Sequence, residues 1–309
     1  MKVAILYGGE SPEREISLKS GRCVYFALKK KFNVKLFDPS KKNFISEFLK
    51  FKPDFVFIAL HGGTGENGAI QGFLEILKIP YTGSGIISSA ICMNKIICKE
   101  ILIYNKIPTP PFVIVEKNKN VKIPFKFPVV VKPANLGSTI GVSIVKSEKE
   151  LKNAIDYAFS LDKDVFIEKF IEGKEVTVGI LGNEKIEVLP IIEIQTKKGF
   201  YDYKAKYTKG ESFHIIPPCL PEKIIKKIEN LASKTYKVLK CCGFARMEII
   251  VNKNYKPFVL DVNTIPGLTK LSLLPDAAKH KGINFQQLCE KILNLGLEKW
   301  KAETEKLKK

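Results

Sequence analysis

The first third of the chain alternates short apolar runs with longer segments in which apolar residues recur every three or four positions. Buried strands are predicted for three apolar runs, KVAILYGG, NVKLFD and DFVFIAL. Helices are predicted for the two periodic segments between them, SPEREISLKSGRCVYFALKK and KNFISEFLKF. We expect Ser11 to cap the first helix and Pro12 to occupy its first helical position. This βαβαβ order predicts a parallel sheet with helices on its faces.

The middle of the chain changes to short β segments after one long helical pattern, which runs from about Ser84 to Asn105. A Pro-rich break, IPTPP, ends that helix. The β segments that follow it are PFVIVE, FPVVVKPA, VSIVK and DVFIEKFI. A helix precedes the last of them, with Ser147 and Glu150 at the spacing of a capping box. We therefore predict a small antiparallel sheet with a helix in this section.

The last third contains a predicted hairpin at 246–263, with the sequence RMEIIVNKNYKPFVLDVN. A four-residue turn at 253–256 gives three facing pairs: Asn252 with Pro257, Glu248 with Asp261, and Arg246 with Asn263. One face is then wholly apolar and includes Leu260. The other face is apolar near the turn, at Ile250 and Val259, and polar at the open end. A solvated face would be polar throughout, so this pattern predicts a cleft floor with chemistry at one end.

Glu248 and Asp261 need a compensating partner, because like charges that face each other across a hairpin are destabilising. A hard divalent cation is one such partner, since Mg²⁺ takes oxygen ligands from carboxylates and from substrate phosphates. A structural cluster in which Arg246 neutralises the pair is a second, and protonation of one carboxylate is a third. The hairpin by itself leaves these alternatives open.

Residues suited to bind phosphates follow the strand PVVVKP. Lys132 comes after three Val residues, an unusual place for a solvated lysine. Gly137 and Gly141 allow a tight loop whose backbone N–H groups can cap phosphate oxygens. Lys95 lies on the preceding long helix. The chain has no P-loop motif, and no G-x-G-x-x-G motif follows its first strand, so a phosphate site here would use these lysines and this glycine loop.

Composition restricts the partners of the protein. The formal net charge of the 309-residue chain is +19 at pH 7, but its lysines are spread along the chain and no nucleic-acid motif is present, so we expect no nucleic-acid partner. No apolar run reaches the roughly 18 residues of a membrane span, and KVAILYGG lacks the cleavage site of a signal peptide. The seven Cys residues show no C-x-x-C pair, which predicts free thiols in a reducing cytoplasm. We therefore expect a cytoplasmic protein without a membrane partner.

Eight segments resemble, in order and spacing, the D-alanine–D-alanine ligase family of the ATP-grasp superfamily. They are LYGGESPEREISLKSG, ALHGGTGENGAIQG, YTGSG, MNK, VVKPANLGSTIGV, FIEKFIEGKEVTV, YDYKAKY and LDVNTIPGLT. The resemblance covers the chain from Val3 to about Leu295. It implies an α/β (α+β overall) three-domain ATP-grasp fold, in which an N-terminal parallel α/β domain precedes two α+β domains that clamp the nucleotide. The implied domains are 1–84, 85–170 and 171–309, the last with the metal and lid segments.

The resemblance also implies an ATP site with two Mg²⁺ or Mn²⁺ ions. The residues implied at the phosphates are Lys95, Lys132 and the lid lysine Lys206. Those implied at the adenine hinge are Glu168, Lys169 and Ile171. Glu175 is implied at the ribose hydroxyls. The implied metal ligands are Glu248, Asp261 and Asn263.

The implied amino-acid site lies beside the phosphates. Glu15 matches the residue that binds the ammonium of the first D-alanine, and with Ser138 and Tyr207 it resembles a hydrogen-bonded trio that closes the lid. The other implied residues are Arg246 and the Gly267 N–H at an oxyanion hole, Ser272 and Leu273 at the second carboxylate, and His61 near the first substrate.

The reaction implied by the resemblance is ATP-dependent ligation of two D-alanine molecules through an acyl phosphate, for peptidoglycan precursor synthesis, by a homodimer. Ligation to D-lactate or D-serine is the alternative within the superfamily, although the AKY of the lid segment favours the dipeptide. A non-catalytic basic binding module is an alternative from another class. It leaves the facing carboxylates without a function.

The hairpin departs from the family pattern, which usually has Asp at the position of Glu248 and Glu at that of Asp261. Because the two residues face each other, a long and a short side chain have changed sides and their summed reach is kept. We therefore expect the metal site to be retained. Thr139 replaces the more common second Ser, and Asn94 stands where Asp is frequent.

Overall fold

The computed structural model describes residues 1–119, 121–196 and 210–306. The α-helices in these ranges are Arg14–Leu28, Phe44–Phe51, Ala69–Ile76, Ile86–Met93, Lys95–Tyr104, Glu148–Leu161, Glu222–Val238, Leu273–His280 and Phe285–Lys306. The strands are β1 (Lys2–Leu6), β2 (Asn33–Phe37), β3 (Phe55–Ile58), β4 (Phe112–Val115), β5 (Val129–Pro133), β6 (Ser143–Val145), β7 (Val165–Lys169), β8 (Gly173–Gly182), β9 (Ile186–Val188), β10 (Ile192–Thr196), β11 (Ser212–Ile215), β12 (Gly243–Asn252) and β13 (Pro257–Asn263).

The N-terminal part forms the predicted parallel sheet, with strand order β2-β1-β3. All four residues of β3 and the last four of β1 are buried, as expected for strands covered on both faces. The C-terminal helix Phe285–Lys306 contributes Leu288 and Ile292 to the same core. The first and last parts of the chain are therefore packed together.

The two antiparallel sheets follow in the second and third parts of the chain. Strands β4-β7-β5-β6 form a four-stranded sheet covered by the helix Glu148–Leu161, which confirms the small antiparallel section predicted from the sequence. Strands β11-β10-β8-β12-β13, with β9 paired to β8, form the larger sheet. One core joins that sheet to the helices Glu222–Val238 and Lys95–Tyr104. The domain limits at 84 and 170 stay a prediction.

The prediction of one long helix from Ser84 to Asn105 is wrong, because Asn94 separates two helices, Ile86–Met93 and Lys95–Tyr104. Asn94 has an extended backbone, and its side chain accepts a hydrogen bond from the Ile97 N–H at 3.0 Å. It therefore caps a second helix that begins at Lys95. The break lets the Lys95 N–H donate to the Ala134 carbonyl at 2.9 Å, which fixes Lys95 beside the glycine loop.

The start of the first helix also differs from the expectation. The helix begins at Arg14, and Glu13, not Ser11, precedes it. Ser11 instead donates its hydroxyl proton to the His61 carbonyl and accepts a hydrogen bond from the Glu13 N–H. The turn that holds Ser11 and Pro12 thus brings Glu13 inward, where it is buried.

The hairpin has the predicted residue pairs at its open end, but its loop and its register near the turn differ from the prediction. Its loop has three residues, since the Asn252 N–H bonds to the Lys256 carbonyl, and Tyr255 adopts a left-handed φ of 56°. A bulge at Leu260 then restores the register. The predicted pairing of Asn252 with Pro257 is therefore wrong, and Ile250 pairs with Phe258 rather than with Val259. Beyond the bulge, Glu248 faces Asp261 and Arg246 faces Asn263, as predicted.

The bulge exchanges the faces of the apolar residues near the turn. Val259 was expected on the cleft face but lies in the core, and Leu260 was expected in the core but lines the cleft. Among the described residues, no helix is long and apolar enough to cross a membrane.

Candidate active site

The open end of the hairpin forms one wall of a cleft. Glu248 pairs with Asp261 and Arg246 with Asn263 across β12 and β13, as predicted, and all four residues line the cleft. Arg246 donates to Glu248 Oε1 at 3.0 Å and to Thr177 Oγ1 at 3.1 Å. The structure therefore contains the ion pair that the sequence left open as an alternative.

The polar end of the hairpin also fits a hard divalent cation. Asp261 Oδ1 lies 3.7 Å from the Lys95 ammonium, and the partly exposed Asp261 side chain lines both cavities. Asn263 uses its side-chain oxygen to accept from the Ile265 N–H at 2.8 Å, and one lone pair of that oxygen remains. The described residues contain no group of three or more His, Cys, Asp or Glu side chains arranged for a metal. Two carboxylates and one amide oxygen match Mg²⁺, which completes its shell with phosphate oxygens and water.

A second cavity adjoins the hairpin on the side of the four-stranded sheet. It is lined by Lys132, Glu175 and Leu260, together with the glycine loop. Ser138 and Thr139 in that loop have φ of 52° and 63°, a conformation that costs energy for residues other than glycine and is concentrated at functional sites. Two of the predicted phosphate lysines, Lys95 and Lys132, and the predicted ribose residue Glu175 thus line one cavity beside this loop.

Lys95 and Lys132 line the second cavity from two different elements, the helix Lys95–Tyr104 and strand β5. The Lys95 ammonium donates to the Leu136 carbonyl at 2.8 Å, so it lies at the beginning of the glycine loop. The Lys132 ammonium forms an ion pair with Glu168 Oε1. Both cations face the space between the glycine loop and Asp261, where an anionic ligand would be attracted.

Lys99, which was not selected from the sequence, is the second partner of Glu168. Its ammonium lies 2.9 Å from Glu168 Oε2 and 2.7 Å from Thr109 Oγ1. Burial alone would raise the pKa of the Glu168 carboxyl, but the charges of Lys132 and Lys99 outweigh it and lower that pKa. Burial lowers the pKa of Lys99, whereas Glu168 raises it in part again. Glu168 is therefore held as a buried carboxylate between two cations.

The residues predicted at the adenine hinge lie at the end of β7 and directly after it. Lys169 donates its backbone N–H to the Pro111 carbonyl at 2.9 Å, and its side chain is exposed. Ile171 is half-buried in the segment between β7 and β8. Lys206 and Tyr207 lie outside the described residues.

Glu13, and not the expected Glu15, occupies the amino-acid side of the cleft. The Ser138 hydroxyl donates to Glu13 Oε1, and a Cβ on Gly137 would come within 2.5 Å of Glu13 Oε2. Glu15 is exposed and does not line the cleft. The predicted contact between Glu15 and Ser138 is therefore made by Glu13. Helical periodicity contained this signal, since the buried face of the helix continues from Glu13 through residues 16, 17 and 20.

His61 lies in the wall of the same part of the cleft. Its Nε2 is 3.0 Å from the Ser20 hydroxyl, which also accepts a hydrogen bond from the Leu268 N–H at 3.2 Å. Burial lowers the pKa of His61 to about 4, although a contact with the Ile265 backbone raises it in part. His61 is thus neutral near pH 7 and is linked through Ser20 to the peptide beside Gly267.

Gly267, Ser272 and Leu273 line the far end of the cleft. A Cβ on Gly267 would lie 2.8 Å from Ser272 Oγ, so a larger residue there would displace the Ser272 hydroxyl. Ser272 precedes the helix Leu273–His280, and its hydroxyl accepts from the Thr269 N–H at 3.0 Å. A helix N-terminus at this end favours an anionic group such as a carboxylate.

Glu66 is a further buried cleft residue that was not selected from the sequence. Its carboxyl accepts from the Gly62 N–H at 2.7 Å. Burial first, and then the charge of Glu13, raises the pKa of Glu66. Its position in HGGTGENG, directly after a strand, could have indicated it, because residues at the carboxyl ends of parallel strands often line binding sites.

Comparisons with known proteins agree with this architecture. The family model described as D-ala D-ala ligase C-terminus matches residues 103–294, and the one described as D-ala D-ala ligase N-terminus matches residues 40–84. D-alanine–D-alanine ligase of Pelotomaculum thermopropionicum is 47% identical, with 96% of this chain and 97% of the relative covered. The corresponding protein of Carboxydothermus hydrogenoformans is 48% identical, over 96% and 99%.

The solved structures give the same result. The structure of D-alanine–D-alanine ligase from Bacillus anthracis complexed with ATP has a TM-score of 0.86 and 34% identity, and it covers 98% of this chain and 99% of its own. One parallel sheet and two antiparallel sheets around a lysine-lined cleft define the class as an ATP-grasp fold. Within that class, the chain belongs to the D-alanine–D-alanine ligase family.

Proposed function

We propose that this protein ligates two molecules of D-alanine to D-alanyl-D-alanine with hydrolysis of ATP to ADP and phosphate, as a step of peptidoglycan precursor synthesis in the cytoplasm. The single observation that carries the proposal is the joint lining of one cleft by Glu13, by the Glu248–Asp261 pair and by the N-terminal end of the helix Leu273–His280. These three features suit an ammonium, a metal-bound nucleotide and a carboxylate, respectively.

Binding of the first D-alanine is assigned to Glu13. An ammonium placed beside its carboxylate gains a charge-assisted hydrogen bond in a partly closed environment. Ser138 holds Glu13 from the loop, so the same contact ties the amino-acid side to the glycine loop. The carboxylate of this D-alanine then faces the γ-phosphate of ATP.

Two anions meet in the first step, in which a carboxylate oxygen attacks the γ-phosphorus and ADP leaves. Lys95 and Lys132 reduce their repulsion at the phosphates. Mg²⁺ or Mn²⁺, when bound, neutralises the phosphate oxygens and orients them. Glu248, Asp261 and Asn263 are the residues that would hold it, because their oxygens face the same space.

The second step forms the peptide bond. The amine of the second D-alanine attacks the acyl carbon, and phosphate leaves with the former carboxylate oxygen. Arg246 and the Gly267 N–H are assigned to the tetrahedral oxyanion, where one such donor is typically worth about 3 kcal/mol. Ser272 and Leu273 are assigned to the carboxylate of the second D-alanine.

Water would destroy the acyl phosphate, so the site must close during the reaction. We assign this role to the lid segment with Lys206 and Tyr207, on the basis of the sequence resemblance. We also propose a homodimer. The exposure of Ile76 and Ile87 on the neighbouring helices Ala69–Ile76 and Ile86–Met93 supports it, and sedimentation of the purified protein tests it.

The test of the function is product analysis with purified protein, ATP and D-alanine, with and without Mg²⁺. We expect equal amounts of phosphate and D-alanyl-D-alanine, and neither product without the metal. When D-lactate or D-serine is added, D-alanyl-D-alanine should remain the main product. Absence of ATP-dependent phosphate release at any metal concentration would contradict the proposal.

A further inference from the structure

The group formed by the buried Lys99 and Glu168 and the partly buried Lys132 contains more positive than negative charge. Glu168 has one carboxylate, and each of its oxygens is bound to a different lysine ammonium. One lysine is sufficient to compensate the carboxylate, so one cation is in excess.

The surroundings distinguish the two lysines. Lys99 is 2% exposed, and its ammonium lies 5.4 Å from the centre of the Phe112 ring and also bonds to Thr109. Lys99 lines neither of the two cavities described above. Lys132 lines the second cavity beside the glycine loop. Lys132 is therefore accessible to a ligand in that cavity, whereas Lys99 is not.

The contacts of Lys99 extend to the hairpin. Thr109, which accepts from Lys99, donates its hydroxyl proton to the Val259 carbonyl at 2.8 Å. The Val259 N–H in turn donates to the Pro108 carbonyl at 2.8 Å. Val259 immediately precedes the bulge that places Asp261 in the cleft. Lys99 thus joins the nucleotide side of the cleft to the strand that carries a proposed metal ligand.

We propose that Lys99 is a positioning residue for the nucleotide, which compensates the buried Glu168 carboxylate and thereby leaves the Lys132 ammonium available to a phosphate of ATP. Without Lys99, a movement of Lys132 toward the phosphate would leave a buried carboxylate unpaired, and that is strongly unfavourable. Lys132 would then stay on Glu168, and ATP would bind more weakly. The inference rests on the proposed function only in taking ATP as the ligand.

The test uses Lys99→Met, Lys99→Arg and the matched control Lys299→Met. Lys299 is also a buried lysine, with its ammonium 3.0 Å from the Gly83 carbonyl and 3.8 Å from the centre of the Tyr81 ring, but it is outside the cleft. We expect Lys99→Met to raise the KM and Kd for ATP about tenfold or more, with the KM for D-alanine changed less than about twofold. Lys99→Arg and Lys299→Met should keep both values within about threefold.

A double-mutant cycle with Glu168→Gln separates this role from simple packing. In the Glu168→Gln background there is no buried carboxylate to compensate, so Lys99→Met should change the KM for ATP by less than about threefold. The same factor in both backgrounds would overturn the proposal, as would an unchanged KM for ATP in Lys99→Met alone. Inactive wild-type protein in the same assay would instead count against the proposed function.

A measurement on the unaltered protein covers the case in which Lys99→Met does not fold. In a crystal structure with ADP bound, we expect Lys99 to remain on Glu168 and the Lys132 ammonium to contact a phosphate oxygen. Lys132 retained on Glu168 without a phosphate contact would contradict the proposal.

Discussion

On the proposed nucleotide side of the cleft, the buried Glu168 lies between two lysines. On the proposed amino-acid side, two buried glutamates, Glu13 and Glu66, lie close enough for the charge of one to act on the other. The pKa of Glu168 is lowered in spite of burial, because Lys132 and Lys99 outweigh the loss of solvent. The pKa of Glu66 is raised, because burial and the charge of Glu13 act in the same direction. One side thus has an excess of positive charge, whereas on the other side burial and the charge of Glu13 raise the pKa of Glu66 to about 8, so that Glu66 is largely protonated near pH 7.

This difference corresponds to the ligands that the two sides receive. An excess cation on the proposed nucleotide side attracts phosphate, and the Glu13 carboxylate on the other side attracts an ammonium. The hairpin lies between them, with Arg246 and Lys95 beside Glu248 and Asp261. This charge pattern agrees with the order of ATP, metal and amino acid that we propose along the cleft.

The strongest way to break this order is to change the hairpin. Asp261→Asn removes one anionic oxygen ligand for the proposed metal, and we expect the ligation rate at fixed Mg²⁺ to fall about 1000-fold, or about 4 kcal/mol. The exposed Asp156 offers the control Asp156→Asn, which should retain wild-type activity. Wild-type Mg²⁺ dependence in Asp261→Asn would contradict the assignment.

His61 tests the burial on the amino-acid side through stability. Its pKa is about 4 in the folded protein against 6.5 for the free group, so the unfolded chain takes up a proton that the folded protein does not. The stability present above pH 6.5 is therefore lost as the pH falls toward 4, by about 3 kcal/mol. Denaturant unfolding of wild type and His61→Asn measures this difference.

In that comparison, His61→Asn should have a flatter pH dependence than wild type, and the exposed His280→Asn should not. Parallel curves for wild type and His61→Asn between pH 4 and 7 would show that His61 is not held neutral.

Glu13, which precedes the first helix, is buried, whereas Glu15 in the first turn of that helix is exposed. Glu13→Gln removes the charge that receives the ammonium, and we expect kcat/KM for D-alanine to fall about 100-fold. Glu15→Gln makes the same chemical change on the exposed face and should stay within about twofold. The opposite result would restore Glu15 to the site and exclude Glu13.

The smallest effect concerns the exchanged side chains of the hairpin. Glu248→Asp and Asp261→Glu should each lower the ligation rate about tenfold, because the summed reach of the facing pair changes. The double variant restores that sum and should be far more active than either single variant. Losses that add in the double variant would show that the reach of the pair does not matter.

The sequence predicted those parts of the molecule in which local pattern and packing agree. The parallel sheet followed from the apolar runs, and the facing of Glu248 and Asp261 followed from strand alternation. That facing survived two errors, a loop shorter than expected and a bulge at Leu260, which cancelled each other. A bulge leaves no clear local signal in a strand of apolar residues.

Other features depended on contacts between distant segments. Lys99 lies on a helix among apolar residues, and only the tertiary structure shows that it meets Glu168, 69 positions away. Asn94 did carry a signal, since Asn favours helix starts, but the surrounding periodicity was strong enough to hide the break. Glu13 was missed because two glutamates stand in one motif and only the helix phase separates them.

The most direct test of the central claim is anomalous diffraction from crystals grown with ADP and Mn²⁺. We predict a strong anomalous peak between the carboxylates of Glu248 and Asp261, within coordination distance of a phosphate oxygen. A nucleotide bound elsewhere, or the two carboxylates turned apart with no peak between them, would contradict the account.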